Sequence, residues 1–162
     1  MWMIVIASLV LLVIVYYFFV KSSKFKEKDD TDVYKCKDFL LTKTEKVAFD
    51  KIKSYLDKNH LNLDVFPKMR LTDFVWTPKE NRNAYLRIQM KFVDFLIVRT
   101  PQLHPIAAIF ITNPDNKSKM QSLETIEPVL KHTKIKLIKV SPQDIFNSTM
   151  IDKLNKAIKE AS

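Results

Sequence analysis

The first twenty residues carry no charged side chain, and this apolar run constrains the fold of the chain more than any other feature. At about 1.5 Å of rise per residue, a helix of that length spans about 30 Å, the thickness of a bilayer's hydrocarbon core. Lys21, Lys24, Lys26 and Lys28 follow closely, and basic residues beside a span tend to stay in the cytoplasm. We therefore predict a single-pass transmembrane helix over residues 1–20, with the N-terminus outside and the rest of the chain in the cytoplasm.

A cleaved signal peptide is the competing interpretation of the same run. Such a peptide needs a basic segment before its apolar core and small residues at its cleavage site. Residues 1–3 read Met-Trp-Met, without a basic side chain, and residues 16–19 are all aromatic. The sequence therefore favours a retained membrane anchor.

The charge of the chain is strongly positive. All 27 Lys and Arg and all 18 Asp and Glu follow residue 20, so the formal charge of +9 belongs to residues 21–162. Attraction to anionic lipids of the inner leaflet explains such a charge, at about 1 kcal/mol per basic residue near the surface. Binding to nucleic acid explains it equally well. The two interpretations stay open, because the lysines are spread along the chain and not gathered in one run.

Several common kinds of enzyme site are missing from the sequence. The chain contains no glycine, which excludes the glycine-rich phosphate loops of Walker and Rossmann proteins. His60, His104 and His132 lack metal-ligand spacing, so we expect turn or surface histidines. Cys36, the single cysteine, has no His or Cys beside it and forms no internal disulfide, as suits a reducing cytoplasm.

Periodicity divides the rest of the chain into a charged linker over residues 21–37 and one domain over residues 38–162. The pattern Thr42-x-x-Glu45 is a capping box that predicts where the first helix begins. The predicted elements are a helix over 42–59, strands over 63–69, 92–98 and 106–111, a helix over 118–131 interrupted or bent at Pro128, a strand over 135–140 and a helix over 148–160. This order predicts an α/β fold, in which a small mixed sheet is flanked by helices.

Two acidic residues are candidates for a site. Asp94 interrupts the apolar strand at 92–98, and a carboxylate there is costly to bury unless it is paired or bound to a metal. The alternative is an Asp94 satisfied by a neighbouring backbone group or by Lys91. Glu45 is a second acid that reaches the same site from the first helix, or it serves only as the capping partner of Thr42.

Five segments, in this order, resemble a bacterial family, domain of unknown function 2726, that is related to restriction endonucleases. They are 39–45 (FLLTKTE), 65–71 (VFPKMRL), 91–95 (KFVDF), 105–109 (PIAAI) and 135–140 (IKLIKV). The resemblance implies the PD-(D/E)XK nuclease fold, with an αβββαβ core. Members often carry an N-terminal membrane helix, which here implies the bacterial inner membrane.

The resemblance also implies a metal site that this chain has lost in part. In that fold, acids on the second and third strands hold a divalent metal, and a lysine helps to activate water. Asp94 matches the second-strand acid, and Glu45 matches an assisting acid of the first helix. The third strand of the family reads Ile-Glu-Leu-Asp-Asp, whereas residues 109–113 read Ile-Phe-Ile-Thr-Asn. Phe110 and Thr112 therefore occupy the lost positions, and Asp94 remains the one candidate metal ligand.

The leading hypothesis is therefore a degenerate nuclease-like domain that binds nucleic acid without catalysis and without a cofactor. The second hypothesis is an active nuclease that uses Mg²⁺ and draws a replacement acid from Asp115 or Glu124. The third is a module that binds a protein partner or the anionic membrane surface and has no nucleic-acid ligand.

Overall fold

The computed structural model describes residues 2, 10–17, 33–60 and 62–161. The chain divides into two compact units, Met1–Asp38 and Phe39–Ser162. Within the first unit, residues 10–17 are helical. Most of the predicted membrane helix at 1–20 and of the linker at 21–37 lies outside the described residues. Among the described residues, none of the helices has both the length and the apolar character needed to cross a bilayer.

In the part of the second unit that the structure describes there are six helices and four strands. In chain order they are α1 (Lys43–Asn59), β1 (Leu63–Arg70), α2 (Leu71–Phe74), α3 (Arg82–Ile88), β2 (Phe92–Arg99), β3 (His104–Ile111), α4 (Lys117–His132), β4 (Lys136–Val140), α5 (Pro142–Phe146) and α6 (Thr149–Ala161).

The four strands form one mixed sheet, in the order β1-β2-β3-β4. The first three are antiparallel neighbours, and β4 lies parallel to β3. A parallel pair needs a long crossover, which α4 supplies between β3 and β4. The predicted α/β class with a small mixed sheet is therefore confirmed.

Helices cover both faces of the sheet, so the unit has three layers. One core contains Ile52 of α1, Phe95 of β2 and Leu154 of α6. The other contains Phe110 of β3 and Ile126 of α4. The central strands β2 and β3 contribute to both cores, which explains their nearly continuous apolar sequences.

The longer predicted elements are confirmed, and several details differ. Thr42 caps α1 through the predicted capping box, and β1 is an edge strand, as Pro67 indicates. Of the two alternatives predicted at Pro128, an interruption is wrong, because α4 continues through this residue to His132, and a bend stays a prediction. The sequence did not predict α2, α3 and α5, which have four, seven and five residues. Helices of one or two turns show too few apolar positions to reveal a period.

Candidate functional site

The two central strands separate at one end of the sheet. Pairing of β2 with β3 begins at Arg99 and His104 and ends at Phe95 and Ile109. Beyond that point β3 stays paired with β4, as far as Ile111. We call the space between the separating ends of β2 and β3 the fork. Asp94 is the first residue of β2 inside the fork.

Asp94 is fully buried, and its carboxylate closes the fork with hydrogen bonds. The backbone N–H of Ile111 donates to Oδ2 at 2.7 Å, so the side chain replaces the carbonyl that a paired strand would offer. Lys119 Nζ lies 2.9 Å from Oδ2 and 3.0 Å from Oδ1. Lys68 Nζ lies 3.4 Å from Oδ1. Asp94 thus bonds a neighbouring backbone group, as one interpretation predicted. The predicted contact with Lys91 is wrong, because Lys91 donates to Ser122 instead.

Glu45 reaches the same cluster from α1. Its Oε1 accepts a hydrogen bond from Lys68, while its Oε2 accepts from the backbone N–H of Thr42 at 2.9 Å. The two interpretations of Glu45 are therefore compatible, since one carboxylate oxygen caps the helix and the other binds a lysine. Glu45, Lys68, Asp94 and Lys119 form a continuous chain of alternating charge, which we call the fork cluster.

The backbone directs Lys68 into the cluster. Lys68 lies between Pro67 and Met69, which pair with the neighbours of Asp94 on β2, and its φ of 55° is left-handed. The left-handed conformation costs about 1–2 kcal/mol for a residue with a Cβ. Lys68 adopts it in the middle of an edge strand, where its ammonium group joins two carboxylates.

The pKa of Glu45 lies below its usual range. Partial burial raises the pKa of this carboxyl, because it disfavours the charged form. The Lys68 hydrogen bond, the Thr42 backbone N–H and the charge of Lys68 lower it by more. Glu45 is therefore ionised at neutral pH and contributes a full negative charge to the fork cluster.

Phe110 and Thr112, which the family resemblance puts at the positions of the third-strand acid and lysine, have other partners. Phe110 is almost completely buried, and its ring centroid lies 5.0 Å from Lys119 Nζ. Thr112 Oγ1 donates to the carbonyl of Val140 at 3.1 Å. The fork thus holds an ammonium group that binds Asp94 and lies over an aromatic ring.

The alternative acids do not join the fork cluster. Asp115 lies in the exposed turn before α4, where its backbone N–H donates to Asn113. Glu124 is exposed on α4 and lines a groove beside Trp76. Neither carboxylate is among the hydrogen-bond partners of Asp94. In the described part of the chain, no three His, Cys, Asp or Glu side chains are grouped closely enough to hold a metal ion.

The histidines and the cysteine are dispersed, as the sequence predicts. His60 contacts the Tyr55 hydroxyl at 3.3 Å, and His104 begins β3 at the end of the sheet opposite the fork. His132 ends α4, and Cys36 is an exposed free thiol before the folded unit. None of the three histidines is a hydrogen-bond partner of Glu45, Lys68, Asp94 or Lys119.

Sequence reasoning missed both lysines of the fork cluster. Lys68 follows Pro67 in an edge strand, which hints at an irregular backbone but not at an ion pair. Lys119 lies in the first turn of α4 and resembles the chain's many other lysines in every local respect. Only the approach of α4 to the fork distinguishes it.

The fold and the site define an α/β domain with a mixed four-stranded sheet, whose central strands separate around a buried cluster of two acids and two lysines. The chain belongs to the family described as Protein of unknown function (DUF2726), whose sequence model matches residues 37–160. The family predicted from the five sequence segments is therefore confirmed. No curated protein and no solved structure matched the chain significantly.

Proposed function

We propose that the chain is a membrane-anchored cytoplasmic domain with a degenerate nuclease-like fold, which binds nucleic acid without cleaving it. The observation that carries the proposal is the position of Lys119, whose ammonium group is bonded to both oxygens of Asp94 and lies over the ring of Phe110.

The order of elements supports a restriction-endonuclease-like core. Without the short helices, α1, β1, β2, β3, α4 and β4 follow one another in the expected αβββαβ order. Asp94, a buried acid, lies on the second strand, and the fork opens beside it. In a PD-(D/E)XK nuclease this is the strand that carries the first metal-binding acid.

The electrostatics of the fork cluster oppose metal binding. Its two carboxylates are matched by two ammonium groups, so the cluster has no excess negative charge to offer a cation. Mg²⁺ requires nearly octahedral oxygen ligands at about 2.0–2.1 Å. A metal at Asp94 would have to displace Lys119 and would find an aromatic ring where the third-strand acid is needed. Hydrolysis that depends on a metal is therefore not supported here.

The same two lysines are suited to contact phosphate. Each ammonium group has three N–H donors, and the side chains of Lys68 and Lys119 are 28% and 20% exposed. They stand at an open end of the sheet in a domain with a strong excess of positive charge. Such contacts hold a phosphate backbone without reading base sequence.

Calorimetric titration with Mg²⁺ and Mn²⁺ tests the loss of the metal site. The wild-type chain and its Asp94→Ala variant should both give no binding heat. A single site that disappears in Asp94→Ala would contradict the proposal and favour the second hypothesis, an active nuclease with Mg²⁺ as its cofactor. In that case Asp115→Ala and Glu124→Ala identify the replacement acid by loss of cleavage.

Binding to fluorescent oligonucleotides at increasing salt tests the proposed ligand class. Affinity should fall steeply with salt, because each neutralised phosphate releases counterions. Lys119→Gln is expected to reduce both the affinity and the salt slope, whereas Lys46→Gln, on the exposed surface of α1, should change them less. Absence of binding, together with salt-insensitive capture of a protein, would favour the interaction module. Binding only to anionic vesicles would favour a membrane-surface role.

A further inference from the structure

An exposed tryptophan lies beside a groove on the α2–α3–α4 face of the sheet. Trp76, between α2 and α3, is 82% exposed, although large aromatic side chains are usually well buried. The groove has a volume of about 580 Å³ and separates the Trp76 segment from α4. Its lining includes Trp76, Pro78, Arg87, Thr125 and Val129. The groove thus offers an aromatic face, an apolar wall and a guanidinium group to one ligand.

The surface around Trp76 carries several cations that form no ion pair, although Glu124 also lines the groove. Three of the chain's four arginines lie within residues 70–87. On the other side of Trp76, a second depression of about 440 Å³ is lined in part by Lys79, Arg82 and Tyr85. Among the described residues, the ion pairs involve other lysines, and none involves Lys79, Arg82 or Arg87. These three side chains are therefore available to an anionic ligand.

A polar path connects this surface with the fork. Lys91, just before β2, donates from Nζ to Ser122 Oγ of α4 at 3.2 Å. Residues three apart on a helix lie on one face, so Ser122 shares a face of α4 with Lys119 of the fork cluster and with Thr125 of the groove. Lys91 thus places a further cation between the fork and the groove.

We propose that the groove binds a single-stranded nucleic acid, with one base stacked on Trp76 and the phosphates following Arg87 and Lys91 toward the fork. The inference rests on the proposed nucleic-acid function and specifies its ligand. In a duplex the faces of the bases are stacked on neighbouring bases, so the indole of Trp76 has no free base face to stack on. A single strand exposes its base faces, and aromatic stacking together with basic side chains is the usual means of binding it.

Fluorescence of Trp76 provides a direct test on the full-length chain in a mild detergent. Trp2 and Trp76 are the only tryptophans, so Trp2→Phe leaves Trp76 as the single reporter. The probes are oligo(dT), oligo(rU) and a DNA duplex of equal length. At least one of the two single strands should quench the fluorescence of Trp76 to saturation, and both should do so if the site does not distinguish the sugars. The duplex should quench this fluorescence less.

Affinity measurements with labelled probes separate the stacking contact from the charge contacts. Stacking is worth about 1–3 kcal/mol per base, so Trp76→Ala should weaken single-strand binding about 5-fold or more and leave the salt slope unchanged. Arg87→Gln should reduce both the affinity and the slope, because it removes a phosphate contact. Phe146→Ala is the matched control, since Phe146 is also an exposed aromatic residue, at 61%, but ends α5, whose Ile145 packs into the other core. It should bind like the wild type.

The outcomes distinguish this inference from the function on which it rests. If the wild-type chain binds oligonucleotides and Trp76→Ala binds them equally well, the groove is not the site and the proposed function stands. Equal quenching by duplex and single strands would also overturn the inference. If none of the probes binds the wild-type chain, the proposed function fails, and the inference fails with it.

Discussion

Asp94 is completely buried, and both oxygens of its carboxylate accept hydrogen bonds. It has one backbone donor, Ile111, and two ammonium donors, Lys68 and Lys119. In the described part of the chain, no buried side-chain nitrogen or oxygen is left without a hydrogen-bond partner. A buried charge is tolerated under such conditions, and its loss leaves its partners unpaired.

Asp94→Ala should therefore destabilise the folded unit strongly. Removing one member of a buried ion pair typically costs about 3–5 kcal/mol, and the Ile111 N–H would lose its acceptor as well. Urea unfolding of a fragment of residues 30–162 measures the change. The control is Asp50→Ala, which removes an exposed pair with Lys46 and should cost less than about 1 kcal/mol. Similar losses in the two variants would contradict the structural assignment of Asp94.

The charge of Glu45 should contribute to stability in a way that depends on pH. Its pKa in the folded state is lowered from the usual 4.5, so the ionised form stabilises the fold above pH 4.5. This contribution is lost as the pH falls through the lowered pKa. Glu45→Gln removes the charge and keeps a side chain that suits a capping box. The difference in unfolding free energy between wild type and Glu45→Gln should therefore be clear at pH 7 and shrink below pH 4.5. A difference that does not change with pH would count against the Lys68 ion pair.

At the scale of elements, the absence of glycine leaves unusual residues at left-handed positions. Lys68, Leu103 and Lys134 all have positive φ, between 55° and 61°. Lys134 follows the C-cap of α4, where helices most often place glycine. A glycine would suit this position, because it adopts left-handed backbone angles without a steric penalty.

Lys134→Gly should consequently stabilise the fold by about 1 kcal/mol, because glycine adopts left-handed backbone angles without a steric penalty. The matched control is Lys131→Gly, three residues earlier in the last turn of α4. There glycine should destabilise the fold by up to about 1 kcal/mol, because the backbone is helical. Thermal unfolding of the two variants should shift in opposite directions. A shift in the same direction would show that the C-terminus of α4 is formed differently.

The sequence predicted those helices and strands that are long enough to show a repeating pattern of apolar residues. The apolar stripe and capping box of α1 and the apolar runs of β2 and β3 determined those elements locally. The short helices α2 and α3 have no such signal, and they carry the surface around Trp76. The groove could therefore not be predicted from the sequence, because nothing in the local pattern shows that Trp76 and the basic residues near it lie on one surface.

At the scale of the whole molecule, the orientation in the membrane is the main untested expectation. Lys21 to Lys28 predict that residue 36 lies on the cytoplasmic side. Cys36 is the only cysteine and is exposed, so it reports this side directly.

A membrane-impermeant maleimide should label Cys36 in inside-out vesicles and, in intact spheroplasts, only after permeabilisation. The matched control carries Cys36→Ser and Trp2→Cys, which moves the thiol to the opposite end of the predicted span and should reverse the pattern. Labelling of Cys36 in intact spheroplasts would overturn the predicted topology. Labelling in soluble extracts would overturn the anchor itself.

The sequence by itself determined the α/β class, the order of the long elements, the family and the two acids, because periodicity, capping and strand composition act over neighbouring residues. Through the family resemblance it also predicted that Phe110 stands where a third-strand acid is expected. Only the tertiary structure decided which side chains are the partners of Asp94. Lys68 and Lys119 come from an edge strand and a crossover helix, far from Asp94 in sequence, and they meet it because the sheet opens between β2 and β3. Contacts between distant residues depend on packing, which local patterns do not encode.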